Sequence, residues 1–378
     1  MLILAAVATA FVIYGMIAAM LGTILPDLSK RFALSPRQNG TIASVQALGL
    51  IIASLAVGPL LDNEGKKVGL VLGLILIAIA LLGLPRSRGF RSVLVMLFLL
   101  GLGGGTVVTA ANSLVSDVGQ LHRGVALNLV NLFFGLGGLA TPFISANVFS
   151  NNWVRLCHAV GVLALVTLAI QLLTKMPGPT GAGNFVLADA ASVLGKPLLP
   201  LIGLFLFLYI GCEVGVWNWL PSHLIAQGIP ESQALNILSL GFALGLLLGR
   251  IGVSPILVRV PAITVTLVAS AAMVVTTFFM LRTNRLTTAL VLVFLAGLSM
   301  APVFPTTVAI VGDVFPRMTS TAIGFVITCG WTGLAVSSRV IGAIAGGDPL
   351  RLKKALLVIP ASAILMVGLD LSIRSMLR

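Results

Sequence analysis

Charge is what this sequence has least of: only 9% of its 378 residues are Asp, Glu, Lys or Arg, and just ten of those are acidic. A water-soluble domain of this length needs far more polar surface, so a soluble fold is excluded. Cysteine is almost as scarce. Cys157, Cys212 and Cys329 lie in apolar runs without motif spacing, which rules out a disulfide framework and a thiolate metal cluster. The histidines His122, His158 and His223 are far apart and fit loop or helix-end positions, so no metal site is expected. No nucleophile stands beside a base and no phosphate loop is present. No enzyme and no catalytic residue are therefore expected.

What the chain has instead is hydrophobic length: 58% of residues are hydrophobic and the mean hydropathy is +1.13. A bilayer-crossing helix needs about 20 mostly apolar residues. The charged and proline-bearing turns cut the chain into twelve such runs, at about 2–25, 39–61, 68–84, 92–118, 125–149, 156–174, 197–220, 232–253, 261–281, 287–312, 319–346 and 353–374. This predicts an all-α integral membrane protein. The first run has no Lys or Arg before Lys30 and no small-residue cleavage site, so it is expected to be a retained helix. The formal charge of +13 sits mainly at helix ends, where it meets lipid headgroups, and no basic patch with interleaved aromatics calls for nucleic acid. Short loops point to a bacterial inner membrane and a monomer is expected. The positive-inside rule does not decide the orientation.

The one long connection, from Lys175 to Lys196, is rich in Gly, Pro and Ala and follows the sixth run. It predicts six-helix bundles at 1–174 and 197–378, with a cytosolic linker at 175–196. The halves repeat at an offset near 195 residues: Leu25-Pro26 and Gln38 return as Leu220-Pro221 and Gln233, and Leu114 to Val118 returns as Ile310 to Val314. Internal symmetry of this kind is the mark of transporters. The glycine runs Gly101 to Gly105 and Gly135 to Gly138 lie inside apolar helices with no strand before them, which favours close helix packing over nucleotide binding.

Between the second and third runs, Gly58-Pro59-Leu60-Leu61-Asp62-Asn63-Glu64-Gly65-Lys66-Lys67 packs an acid, a glycine and a basic pair into a tight turn. It resembles the G-x-L-x-D-R-x-G-R-R signature of the major facilitator superfamily, departing from it at Asn63. The resemblance implies a twelve-helix fold in two pseudo-symmetric bundles that works by alternating access. It also implies a cytosolic latch built on Asp62, Gly65, Lys66 and Lys67, with Asp117 and Asp313 in equivalent contacts at the other hairpins.

An ionisable residue deep in a span is a functional candidate, and Glu213 and Arg339 qualify by depth. They are expected to meet, either as an ion pair that braces two helices or as part of a substrate site. Asp370 falls near a helix end, where a latch or cap role is expected. Among neutral groups, Gln46, Asn112, Asn128, Asn131 and Asn218 offer the donors and acceptors that a polyhydroxylated ligand needs. Trp217, Trp219 and Trp331 could stack on a sugar ring or anchor at the membrane face.

Thr109-Ala110-Ala111-Asn112, and the run from Leu127 to Gly138 with its two asparagines, are similar to the fucose permease branch of that superfamily. This implies import of a monosaccharide with a coupling proton or sodium ion and no other cofactor. Proton-coupled fucose permease has an Asp before its Ile-Leu-Pro segment and a Glu before its Thr-Ala-Ala-Asn segment, where this chain has Gly22 and Val108. Glu213 is then the deep carboxylate left to carry a proton, and facilitated diffusion or sodium coupling stays open. Three alternatives remain: efflux of amphipathic or cationic compounds, organic anion transport through Arg339, and a membrane sensor that kept the fold without transport.

Overall fold

A computed structural model describes residues 2–34, 36–119, 122–150, 152–179, 193–283, 285–346 and 349–377. Every regular element among them is helical. The helices are α1 (Leu2–Arg31), α2 (Pro36–Glu64), α3 (Lys66–Gly83), α4 (Phe90–Val118), α5 (Arg123–Asn147), α6 (Trp153–Leu173) and α7 (Leu198–Ala226). A short α8 (Glu231–Asn236) passes through a π-helical stretch, Ile237–Ala243, into α9 (Leu244–Ile256). Then follow α10 (Ala262–Met280), α11 (Leu286–Met300), α12 (Val303–Val314), α13 (Thr319–Ala345), α14 (Pro349–Leu356) and α15 (Val358–Met376). Among the described residues twelve segments are long and apolar enough to cross a membrane, and each of the twelve sequence runs overlaps one of them. The expected linker falls largely on 180–192, outside the described residues.

Helices prevail because hydrocarbon offers the backbone no hydrogen-bond partner, so each N–H and C=O must be satisfied inside its own segment. The same constraint carries α7 through Pro221, six residues past the expected end of the seventh span. Ends that reach polar surroundings are capped locally: at the start of α6 the Asn152 side chain accepts from the Arg155 N–H at 3.1 Å.

Two compact units result. The first comprises Met1–Val118, Val130–Val193 and Phe315–Thr328; the second comprises Gly119–Leu129, Leu194–Val314 and Cys329–Arg378. In the first, α4 is central and packs on α1, α2 and α3, while α6 covers α1 and α3. The glycines of α4 permit this. A Cβ on Gly103 would stand 2.7 Å from the Gly73 carbonyl oxygen, and one on Gly105 would stand 2.6 Å from that of Leu50. Backbones that touch gain dispersion contacts that lipid chains cannot supply, which is how small residues hold membrane helices together. In the second unit, α10 packs on α11, α12 and α15, α15 packs on α7, and α9 with the π-helical stretch packs on α11.

One backbone position is demanding. Gly65 joins α2 to α3 with φ 92° and ψ 153°, a region essentially closed to residues with a Cβ. Gly65→Ala should cost about 1–3 kcal/mol and lower the thermal unfolding midpoint of the purified protein; an unchanged midpoint would show that the turn relaxes freely.

Candidate functional site

The turn that Gly65 makes sets Asp62 and Lys66 one helical turn apart, and both are almost fully buried at 1% exposure. Lys66 Nζ lies 3.7 Å from Asp62 and 2.9 Å from Asp117 at the end of α4. The Asp62 carboxylate does a second job. It accepts from the backbone N–H groups of Ser320 at 3.0 Å and Thr321 at 2.8 Å, and from the Thr321 hydroxyl at 2.8 Å. Those N–H groups belong to the first turn of α13, which has no intrahelical acceptors for them and carries the positive end of the helix dipole. A carboxylate of α2 thus caps α13. Lys67 turns the other way and donates to the carbonyls of Leu172 (2.7 Å) and Thr174 (3.0 Å), where α6 ends. Asn63, at the departure from the signature, bonds its neighbour Glu64, at 2.7 Å.

The repeat-related aspartates take different partners. Asp117 meets Lys66, whereas Asp313, its side chain 58% exposed, pairs at 2.8 Å with Arg123 from the first residue of α5. Arg123 is buried, and the sequence alone does not single it out. Its spacing to Asp313, 190 residues, leaves no local signal.

Four of the five amides singled out in the sequence, Gln46, Asn112, Asn128 and Asn131, are buried. Asn112 donates to the Val108 carbonyl at 2.8 Å and accepts from Asn131 at 3.4 Å. Asn128, three residues before Asn131, donates to the Gly124 carbonyl at 2.8 Å and to the Thr306 hydroxyl at 3.3 Å. Its Oδ1 is fully buried and has no hydrogen-bond partner among the described residues. The Trp331 indole Nε1 is likewise buried without an acceptor there. Gln46 is buried, Asn218 is exposed, and Trp217, 37% exposed, sets its ring edge-on to Phe242 with centroids 5.2 Å apart. A buried polar atom without a partner costs about 1–3 kcal/mol, and the Asn128 acceptor and the Trp331 donor are two of several such atoms among the described residues.

Glu213 and Arg339 do not meet. Arg339 is exposed on α13 and makes no ion pair with Glu213. Equal depth is only half the condition for a pair; the helix faces must also agree, and these do not. Glu213 instead lies near the Tyr209 hydroxyl, one turn back on α7, which is also within electrostatic reach of Arg250 on α9. Tyr209 is fully buried and donates to the Met300 carbonyl at 2.9 Å. Arg250 escapes a sequence reading that ends the eighth span at 253 and so leaves the arginine at its margin. The helix runs to Ile256 and holds Arg250 within it, 5% exposed. Among the described residues no group of His, Cys, Asp and Glu is disposed to hold a metal.

Twelve apolar helices among the described residues, buried amides on α4 and α5 and a charged cap binding the hairpin of α2 and α3 to another helix are the parts of a multi-pass membrane transporter, not an enzyme. The chain belongs to the Major Facilitator Superfamily, whose family model matches residues 7–338. In a bacterium this places it in the inner membrane. It is similar to the glucose/mannose transporter GlcP of Bacillus subtilis (strain 168), 24% identical over 96% of this chain and 92% of the relative. Its fold matches that of the E. coli fucose:proton symporter FucP, with TM-score 0.78 and 20% identity over 96% of this chain and 98% of that one. It also matches the human organic anion transporter MFSD10, with TM-score 0.80 and 16% identity over 98% and 99%.

Proposed function

We propose that this transporter carries a monosaccharide across the membrane by alternating access of two six-helix bundles, 1–174 and 197–378, joined by the segment 175–196. The observation that carries the reading is the Oδ1 of Asn128, a buried acceptor left open while both other demands of its amide are met by Gly124 and Thr306. Sugar hydroxyls are donors and acceptors at once, and such a ligand suits a site that offers amide oxygens and an indole N–H together. Gln46, Asn112, Asn128, Asn131 and Trp331 contact hydroxyls and ring faces in this reading, and Trp217 and Asn218 lie at its edge. Glu213 is the deep carboxylate kept for this site. Arg339, exposed and away from Glu213, has the weakest claim to it. The cap of Asp62 on α13, with Gly65, Lys66, Lys67 and Asp117, is the latch of one state, and Arg123 with Asp313 is a second latch. That GlcP is a glucose/mannose transporter and FucP a fucose:proton symporter supports this reading.

Coupling is to a proton or sodium ion, or is absent. The test is uptake of labelled glucose, mannose, galactose and fucose into proteoliposomes with and without imposed ion gradients. Saturable uptake of at least one sugar is expected. Uptake of none of them would end the monosaccharide reading and turn attention to organic anions, with the buried Arg250 as their counter-charge.

A further inference from the structure

Asp370 stands on α15 six residues before its end, close enough to a terminus for the sequence to suggest a latch or cap. The structure buries it instead, at 1% exposure, against α10. Its two oxygens are served separately: Thr266 directs its hydroxyl to Oδ1 at 2.9 Å, with the Ile263 carbonyl as a competing acceptor at 3.1 Å, and Ser270, one turn on, donates to Oδ2 at 3.2 Å. Both hydroxyls are themselves fully buried. No cation completes the set, for among the described residues Asp370 makes no ion pair, and Arg374, four residues further along the same helix, does not reach it. The charged residues next in sequence to the helices packed on α15 are Arg259, seven residues before Thr266, and Lys196, two residues before α7. α10 carries no titratable residue along its whole length. On α7, Cys212 contacts the Ile359 carbonyl, about 16 Å along α15 from Asp370 at 1.5 Å per residue. Tyr209, Glu213 and His223 lie near that level or beyond it, and α14 with Arg351, Lys353 and Lys354 precedes α15 at its opposite end.

A full negative charge held inside a bilayer by two neutral hydroxyls lacks the compensation that such charges otherwise find in membrane proteins. The arrangement does, however, satisfy a neutral acid completely. A proton arriving from water on Oδ2 would be donated to Ser270 Oγ, whose own hydrogen would swing to the carbonyl of Thr266, the usual i−4 acceptor of a helical serine. Thr266 would go on donating to Oδ1. The carboxylate becomes a carboxylic acid, one charge is removed and no hydrogen bond is lost.

We propose that Asp370, Ser270 and Thr266 form a proton-binding site in the twelfth span, and that protonation there couples to transport in a chain that has Gly22 and Val108 where fucose permease carries carboxylates. The first half stands on the geometry alone; the second rests on the transport reading given above. The two are separated by measuring both. In purified protein, an infrared pH titration should show the carbonyl stretch of a buried protonated carboxyl that is missing from Asp370→Asn, a near-isostere of the neutral acid. Thr266→Val, which removes one donor at constant volume, should move its midpoint. In proteoliposomes, Asp370→Asn should keep sugar exchange near the wild-type rate but lose proton-driven accumulation, with the in/out ratio falling to one. An infrared band unchanged by Asp370→Asn would overturn the site. A sodium-dependent loss of that band would also overturn it, by assigning the oxygens to sodium. Undiminished accumulation by Asp370→Asn would overturn the coupling. Absence of sugar transport in the wild type would sink the sugar reading while the infrared result still decides the site.

Discussion

Asp62→Asn should reduce transport at least tenfold and destabilise the protein, since one carboxylate serves three donors of α13 and stands beside Lys66. Removing one partner of a buried charged pair costs about 3–5 kcal/mol, because the other partner's charge is left under-compensated. Part of the hydrogen bonding survives in the amide, so roughly 3 kcal/mol is the expected loss. That is a factor above 100 in the stability of the state that holds the cap. The check is a double-mutant cycle. Lys66→Met alone and Asp62→Asn alone should each lower the unfolding midpoint, and the pair together should cost less than their sum if the interaction is mutual. Strict additivity would mean that Asp62 works only through α13 and that Lys66 belongs to Asp117.

The signature turn made half of this cluster legible. Asp62, Gly65 and the two lysines are close in sequence, and a glycine between an acid and a basic pair at the end of an apolar run has few structural uses. The other half was not legible: Ser320 and Thr321 are bonded through backbone N–H groups 258 and 259 residues away, and a helix start carries no residue pattern that says which carboxylate will cap it. Depth along a span says nothing about rotation around the helix. Each residue turns the side chain by about 100°, so a boundary error of one or two residues redirects a side chain entirely. That is why depth alone matches Glu213 to Arg339 rather than to the neighbourhood of Tyr209, and why Arg250 is overlooked when its span ends three residues early. Asn128 and Asn131 share a face by spacing, yet their amides go to different partners, one to Thr306 and one to Asn112, because three residues also advance about 4.5 Å along the axis. The glycine runs fared better. Their meaning depends only on being inside a helix, which hydropathy establishes.

Asn128→Leu tests the sugar site most directly. Leucine keeps the side-chain volume while removing the acceptor Oδ1 and the donor to Thr306. A hydrogen bond made in a buried site is worth about 1–3 kcal/mol when its loss leaves the ligand group unpaired. KM for the transported sugar should then rise about 10- to 100-fold at 1.4 kcal/mol per tenfold, with a smaller change in maximal rate. A packing defect alone could mimic this, so the decisive comparison uses the ligand. Against the wild type, one monodeoxy sugar in a series should show a similar loss of affinity, since it lacks the hydroxyl that Asn128 accepts from. Against Asn128→Leu the same sugar should lose almost nothing further, while the other deoxy sugars keep their full penalty. Thr306→Val supplies the second axis: it leaves Oδ1 in place but frees the amide to rotate, so it should weaken binding of every hydroxyl-bearing sugar moderately and without preference for one position, and Thr306→Ser should restore it. If all deoxy sugars instead suffer equally in Asn128→Leu and in wild type, Asn128 holds helices together and the sugar is read elsewhere, with Asn112, Asn131 and the Trp331 indole next in line.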